Sequence, residues 1–146
     1  MANEALYINN LPVNTTIVVP SGTTYYDRWE LKYGDEAFPF FDDNDVLLWD
    51  ASFTLRDTFL TTPGDMEPYL YSETITGVED LLSGVFIEKE TDLLGVVHTY
   101  YGLYLLAEDT AIVPSGRLWY TIKIKRISDD WTIRVQEGYC LVTKGS

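Results

Sequence analysis

Between Leu118 and Val142 the chain alternates in a way that admits only paired strands. Leu118, Tyr120, Ile122 and Ile124 occupy every second position, with Trp119, Thr121, Lys123 and Lys125 between them, which is the period of a strand with one buried face. A helix would spread the same apolar side chains around its circumference. Ser128, Asp129 and Asp130 supply turn chemistry. Trp131, Ile133 and Val135 then resume the alternation against Thr132, Arg134 and Gln136, which makes an antiparallel hairpin. Gly138 interrupts the second run before Tyr139, Cys140, Leu141 and Val142, so a bulge or bend is expected there, with a closing strand beyond it.

A hairpin with one apolar face needs a second apolar layer. Leu47, Trp49, Ala51, Phe53 and Leu55 alternate against Val46, Leu48, Asp50, Ser52, Thr54 and Arg56, the pattern of a central strand. Thr24 to Tyr33 reads as another strand, stopped by Gly34 and Asp35. Tyr69 to Thr76, Val85 to Lys89 and Val96 to Leu106 carry further strand signals. Pro63, Gly64 and Pro68 mark Thr61 to Pro68 as a loop. Thr76 and Glu79 have capping-box spacing ahead of a short helical turn, and Ala107 to Gly116 is a loop with room for another. Short strands at regular spacing, with almost no helix, predict an all-β chain, an antiparallel sandwich or barrel.

The 146 residues suit one domain, placed at 24–146, and 46% hydrophobic with 14% aromatic content is far from the composition of a disordered chain. Residues 1–23 read differently. Asn9, Asn10, Pro12, Asn14, Pro20, Ser21 and Gly22 are loop formers around the β-branched run Ile17, Val18, Val19. This segment is expected to be an extended arm that adds a strand to its own sheet or to a neighbour's edge, or else a first strand with a frayed terminus. Ile17, Val18 and Val19 are accordingly candidate partner contacts.

A formal net charge of −13 disfavours sequence-independent binding to nucleic acid or to an anionic membrane. Met1 to Leu11 lacks a basic region followed by an apolar run, and no stretch of about twenty apolar residues occurs. Neither a signal peptide nor a membrane span is expected. The single cysteine, Cys140, excludes an internal disulfide and sits in an apolar strand, where a buried, inert thiol is expected.

Chemistry is sparse. His98 is the only histidine, so metal sites of the two-histidine kind cannot be assembled from one chain, and a structural or surface role is expected for it. The acidic turn Asp42 to Asp45 lacks the glycine and closing glutamate of a helix-loop-helix calcium site and reads as a solvated turn. No catalytic residue, metal or cofactor is expected. Several aromatics fall at outward parity. Trp119, out of phase with Leu118, Tyr120 and Ile122, and Trp131 are candidate partner contacts, and with Tyr100 they are candidates for stacking on a sugar.

The order of these features resembles the N-terminal, immunoglobulin-like domain of phage baseplate upper proteins and related tail-fibre-anchoring modules. The likeness rests on Gly34-Asp35 after the first long strand, the Val46 to Arg56 strand, Gly102-Leu103-Tyr104-Leu105, and Glu108-Asp109-Thr110 with Pro114-Ser115-Gly116. It continues through the Leu118 to Ile124 strand and the closing Gly138-Tyr139-Cys140-Leu141-Val142, and so covers about Thr24 to Val142. The resemblance implies an immunoglobulin-like β-sandwich that serves as a non-enzymatic virion building block, made in the host cytoplasm and docking a tail fibre or neighbouring subunit. Its implied partners are other virion proteins and copies of itself. The family's domain usually begins a longer chain, and the arm has no obvious counterpart there, which points to a small adaptor. The alternative is a carbohydrate-binding module for host-surface glycans.

Overall fold

The computed structural model describes residues 11–57, 70–75 and 82–144, with side chains for all of these except 70–75. The strands in chain order are β1 (Val13–Asn14), β2 (Ile17–Pro20), β3 (Tyr25–Glu30), β4 (Lys32–Tyr33), β5 (Glu36–Ala37) and β6 (Trp49–Asp57). They continue as β7 (Leu70–Ile75), β8 (Gly84–Thr91) and β9 (Val97–Leu105), then the single turn α1 (Ala107–Ala111), β10 (Gly116–Arg126) and β11 (Thr132–Thr143). The expected Thr61 to Pro68 loop and the Thr76–Glu79 capping box lie outside the described residues.

The chain is all-β, and its mostly antiparallel strands form a sandwich. One layer runs β11, β10, β6, with β1 and β2 both added in parallel along the free edge of β11. The other layer runs β8, β9, β3. β7 joins them: Leu70–Glu73 pairs β6 antiparallel, and Thr74–Ile75 pairs β8 in parallel, so one strand passes from the first layer to the second. The expected central strand is indeed interior, with β10 on one side and β7 on the other.

Alternation decides what lies between the layers. β6 contributes Trp49, Ala51, Phe53 and Leu55, and β10 contributes Leu118, Tyr120, Ile122 and Ile124. From the opposite layer come Val85, Tyr101, Leu103 and Leu105. Phe38 and Phe40, from the connection after β5, plug one end, with the Phe38 ring 4.7 Å from Phe40 and 5.3 Å from Trp49. Burying each of these large side chains contributes roughly 1.5–3 kcal/mol. Among the described residues the buried polar side chains are Thr99, Thr110 and Gln136.

Three local expectations need correction. The bulge lies not at Gly138 but between Arg134 and Gln136, where Ile122 faces Gln136 while Lys123 faces Arg134, leaving Val135 as the extra residue. Val135 and Gln136 are therefore both buried, although plain alternation puts Gln136 on the solvent side. The bulge has a polar reason. The Tyr101 hydroxyl donates to Gln136 Oε1 at 2.6 Å, Gln136 Nε2 donates to the Tyr120 hydroxyl at 2.9 Å, and Tyr120 donates to the Thr15 carbonyl at 2.5 Å. Second, no separate closing strand follows Gly138, because β11 runs unbroken to Thr143. Gly138 instead admits the N-terminal segment: a Cβ there would lie 2.3 Å from the Thr15 carbonyl oxygen, and the Thr15 N–H donates to Glu137 at 3.0 Å. Third, β2 adds a strand to its own sheet by pairing with Cys140–Thr143, and its alternation drops Ile17 and Val19 into the core, so it is their expected role as partner contacts that does not hold. The next turn is fastened by buried Thr110, which accepts the Gly22 N–H at 3.0 Å and donates to the Thr23 carbonyl at 2.8 Å.

Candidate docking surface

The outward side chains of the β2–β11–β10–β6 layer fall in rows fixed by strand register. Arg56, Trp119 and Tyr139 stand abreast, as do Leu141 and Arg117, with Val18 beyond Leu141. Lower rows hold Thr54, Thr121 and Glu137, then Ser52, Lys123 and Arg134, then Asp50, Lys125 and Thr132. Arg56, Arg117, Lys123, Lys125 and Arg134 make five of the ten basic residues of the chain, against Asp50 and Glu137 in the same rows. Glu137 is already bound to Arg134 at 2.8 Å. A chain with net charge −13 thus carries one sheet face of positive sign.

At its upper end the face is aromatic and apolar as well. Trp119 meets Tyr139 edge to face, with ring centres 5.3 Å apart, and the Arg117 guanidinium lies 4.8 Å from the centre of the Tyr139 ring. Val18 and Tyr139 are exposed and Leu141 half-buried. Arginine with Trp and Tyr is the combination enriched where protein interfaces concentrate their binding energy.

The opposite layer has a different outer surface. Arg28 lies 3.9 Å over the Tyr100 ring and pairs with Glu88 at 2.6 Å and Glu90 at 2.9 Å. His98 stands beside an open cleft of about 360 Å³, lined also by Glu30, Lys32, Asp35 and Glu36. Its Nε2 meets Asp92 at 2.9 Å and its Nδ1 meets Glu30 at 2.6 Å. Those two carboxylates, Asp92 foremost, hold the imidazolium above its ordinary pKa. Conversely, the hydrogen bond from His98 holds the Asp92 carboxyl below its ordinary range. With both ring nitrogens engaged, His98 offers no free lone pair for general-base work, and it acts as a clip between β3, β9 and the β8–β9 turn.

The sequence-derived candidates therefore scatter. Ile17 and Val19 are core residues of their own chain, so they are withdrawn as partner contacts, and Val18 alone of that run faces outward. Trp119 stands in the basic face. Trp131 is at the hairpin turn, where Arg126 lies 5.1 Å from the centre of its ring and Asp129 binds Arg126 at 2.8 Å. At about 3.3 Å per residue along β10, Trp131 is roughly 20 Å from Trp119. Tyr100 is on the outer side of the other layer, with Arg28 over its ring. Cys140 is fully buried, and burial pushes its thiol up to about 12, which removes it as a nucleophile. The Asp42 carboxylate caps its own turn, accepting the N–H groups of Asn44 at 2.8 Å and Val46 at 2.9 Å. Among the described residues no three His, Cys, Asp or Glu side chains gather as a metal site. The basic face itself was missed, although Arg117, Trp119, Lys123 and Lys125 share one parity; counting charge by face rather than by chain would have found it.

No protein-family model and no curated protein matches this chain.

Proposed function

We propose that the chain is a non-enzymatic structural subunit of a phage tail, baseplate or neck, an adaptor that docks a neighbouring subunit or tail fibre through the outer face of the β2–β11–β10–β6 layer. The observation that carries the docking role is the gathering of Arg56, Arg117, Lys123, Lys125 and Arg134 around Trp119 and Tyr139 on a chain that is otherwise strongly acidic. A face of this kind selects an acidic protein surface with an apolar centre. Nucleic acid is a poor fit, since the remainder of the molecule repels a polyanion. The phage setting rests on the sequence resemblance. Glycan binding ranks second, because Tyr100, Trp119 and Trp131 stand on three separate surfaces instead of forming one stacking platform.

Mass spectrometry of purified particles from the source of the gene tests the setting, and absence of the chain from them would remove it. A broad glycan array tests the second reading: binding that disappears in Trp119→Ala, with the fold intact, would put the glycan module first.

A further inference from the structure

The β8–β9 hairpin ends in an apolar tip that the described part of the chain leaves uncovered. Leu93 and Leu94 keep 105% and 89% of full exposure, and Val96 and Val97 behind them are exposed too. Single exposed apolar residues are ordinary on a soluble surface, but four in so short a turn make a patch. The tip is also built, not frayed. One Asp92 carboxylate oxygen accepts the N–H groups of Leu94 at 2.8 Å and Val96 at 3.0 Å, while the other oxygen meets His98. The Asp92 N–H donates to the Val96 carbonyl at 2.9 Å, and the Gly95 N–H donates to the Asp92 carbonyl at 3.0 Å. Such preorganisation lowers the ordering cost of docking. Around the base of the tip, Asp92, Glu90, Glu88 and Glu30, with Asp35 and Glu36 across the cleft, outnumber their basic neighbours Arg28, Lys32 and His98, so the rim keeps a net negative charge.

We propose that this tip docks onto the basic aromatic face of a second copy of the chain, so that copies associate head to tail. This contact rests on the docking reading above. Complementarity selects the second copy: the plug is two leucines above a rim of net negative charge, and the face presents Val18, Leu141 and Tyr139 among Arg56, Arg117, Lys123 and Arg134. An anionic membrane is a poor socket for an acid-rimmed tip. Because plug and socket are different surfaces, the contact is heterologous, and assembly closes into a ring or extends as a filament.

Sedimentation velocity on the full chain, over a concentration series at low and high salt, tests this with two variants. One carries Leu93→Asp and Leu94→Asp, the other Arg117→Glu and Lys123→Glu. All four positions are exposed, and circular dichroism checks that both variants remain folded. The wild-type chain is expected to self-associate, less so in high salt, and each variant to associate at least about a hundredfold more weakly. Mixed together, the two variants are expected to form one-to-one dimers and nothing larger, since the mixture allows one intact tip to meet one intact face. A tip variant that associates like the wild type, or a mixture that fails to pair, overturns the head-to-tail contact. A wild-type chain that stays monomeric overturns it as well, yet leaves the adaptor reading to be judged by the particles.

Discussion

Replacing Gln136 by Leu removes the amide at the centre of a hydrogen-bond chain that crosses from one layer of the sandwich to the other. Leu fills a similar volume, so the loss is polar. The Tyr101 hydroxyl, 2.6 Å from Oε1, is then a buried donor without that acceptor, which costs about 1–3 kcal/mol, and the lost bond to Tyr120 adds about 1 kcal/mol. The sum of about 2–4 kcal/mol lowers the melting temperature by roughly 4–16 °C for a chain of this size. Tyr101→Phe alone strands Gln136 Oε1 and costs about 1–3 kcal/mol. The pair together is expected to cost clearly less than the sum of the single changes, with a coupling of at least about 1 kcal/mol, because two apolar groups then face each other. Urea unfolding followed by tryptophan fluorescence gives these differences, provided the denaturant slope is unchanged. Additive single costs, or a neutral Gln136→Leu, would refute the idea that this amide is the reason for the bulge.

Other predictions follow from local geometry. Gly138→Ala puts a Cβ against the Thr15 carbonyl, so β1 and β2 should lift from β11 and expose Ile17 and Val19, at up to about 3–6 kcal/mol; limited proteolysis should then cut within 13–20 much faster than in the wild type. His98 has a folded-state pKa raised by Asp92 and Glu30, so its contribution is complete below the ordinary imidazole value of about 6.5 and fades as pH rises through the raised value. Amide exchange at Leu94 and Val96, corrected for its intrinsic pH dependence, should therefore quicken across that window in the wild type and show no such step in His98→Gln. Cys140 should resist an aromatic disulfide reagent in the native chain at neutral pH and react once urea unfolds it; fast native labelling would contradict a thiol buried to this degree.

What the sequence alone determined was the alternation: with a period of two, the inward sets on β6 and β10 follow directly from residue order, as do the outward position of Trp119 and the turn residues at Asp129 and Asp130. All eight residues Trp49–Arg56 face the side their parity assigns with no knowledge of partners, and Asp50, Ser52, Thr54 and Arg56 thereby define one edge of the basic face. Every feature set by a contact between distant segments had to wait for the fold. Nothing near Gln136 announces a bulge, because its partners are Tyr101 on the other layer and Tyr120 on the neighbouring strand. Gly138 reads as a break until Thr15 arrives against it. Ile17 and Val19 read as an arm until β11 supplies an edge to pair with. The sign of a surface is of the same kind: parity places a side chain on a face, but register across β6, β10 and β11 gathers Arg56, Arg117, Lys123 and Arg134 into one positive field on an acidic chain.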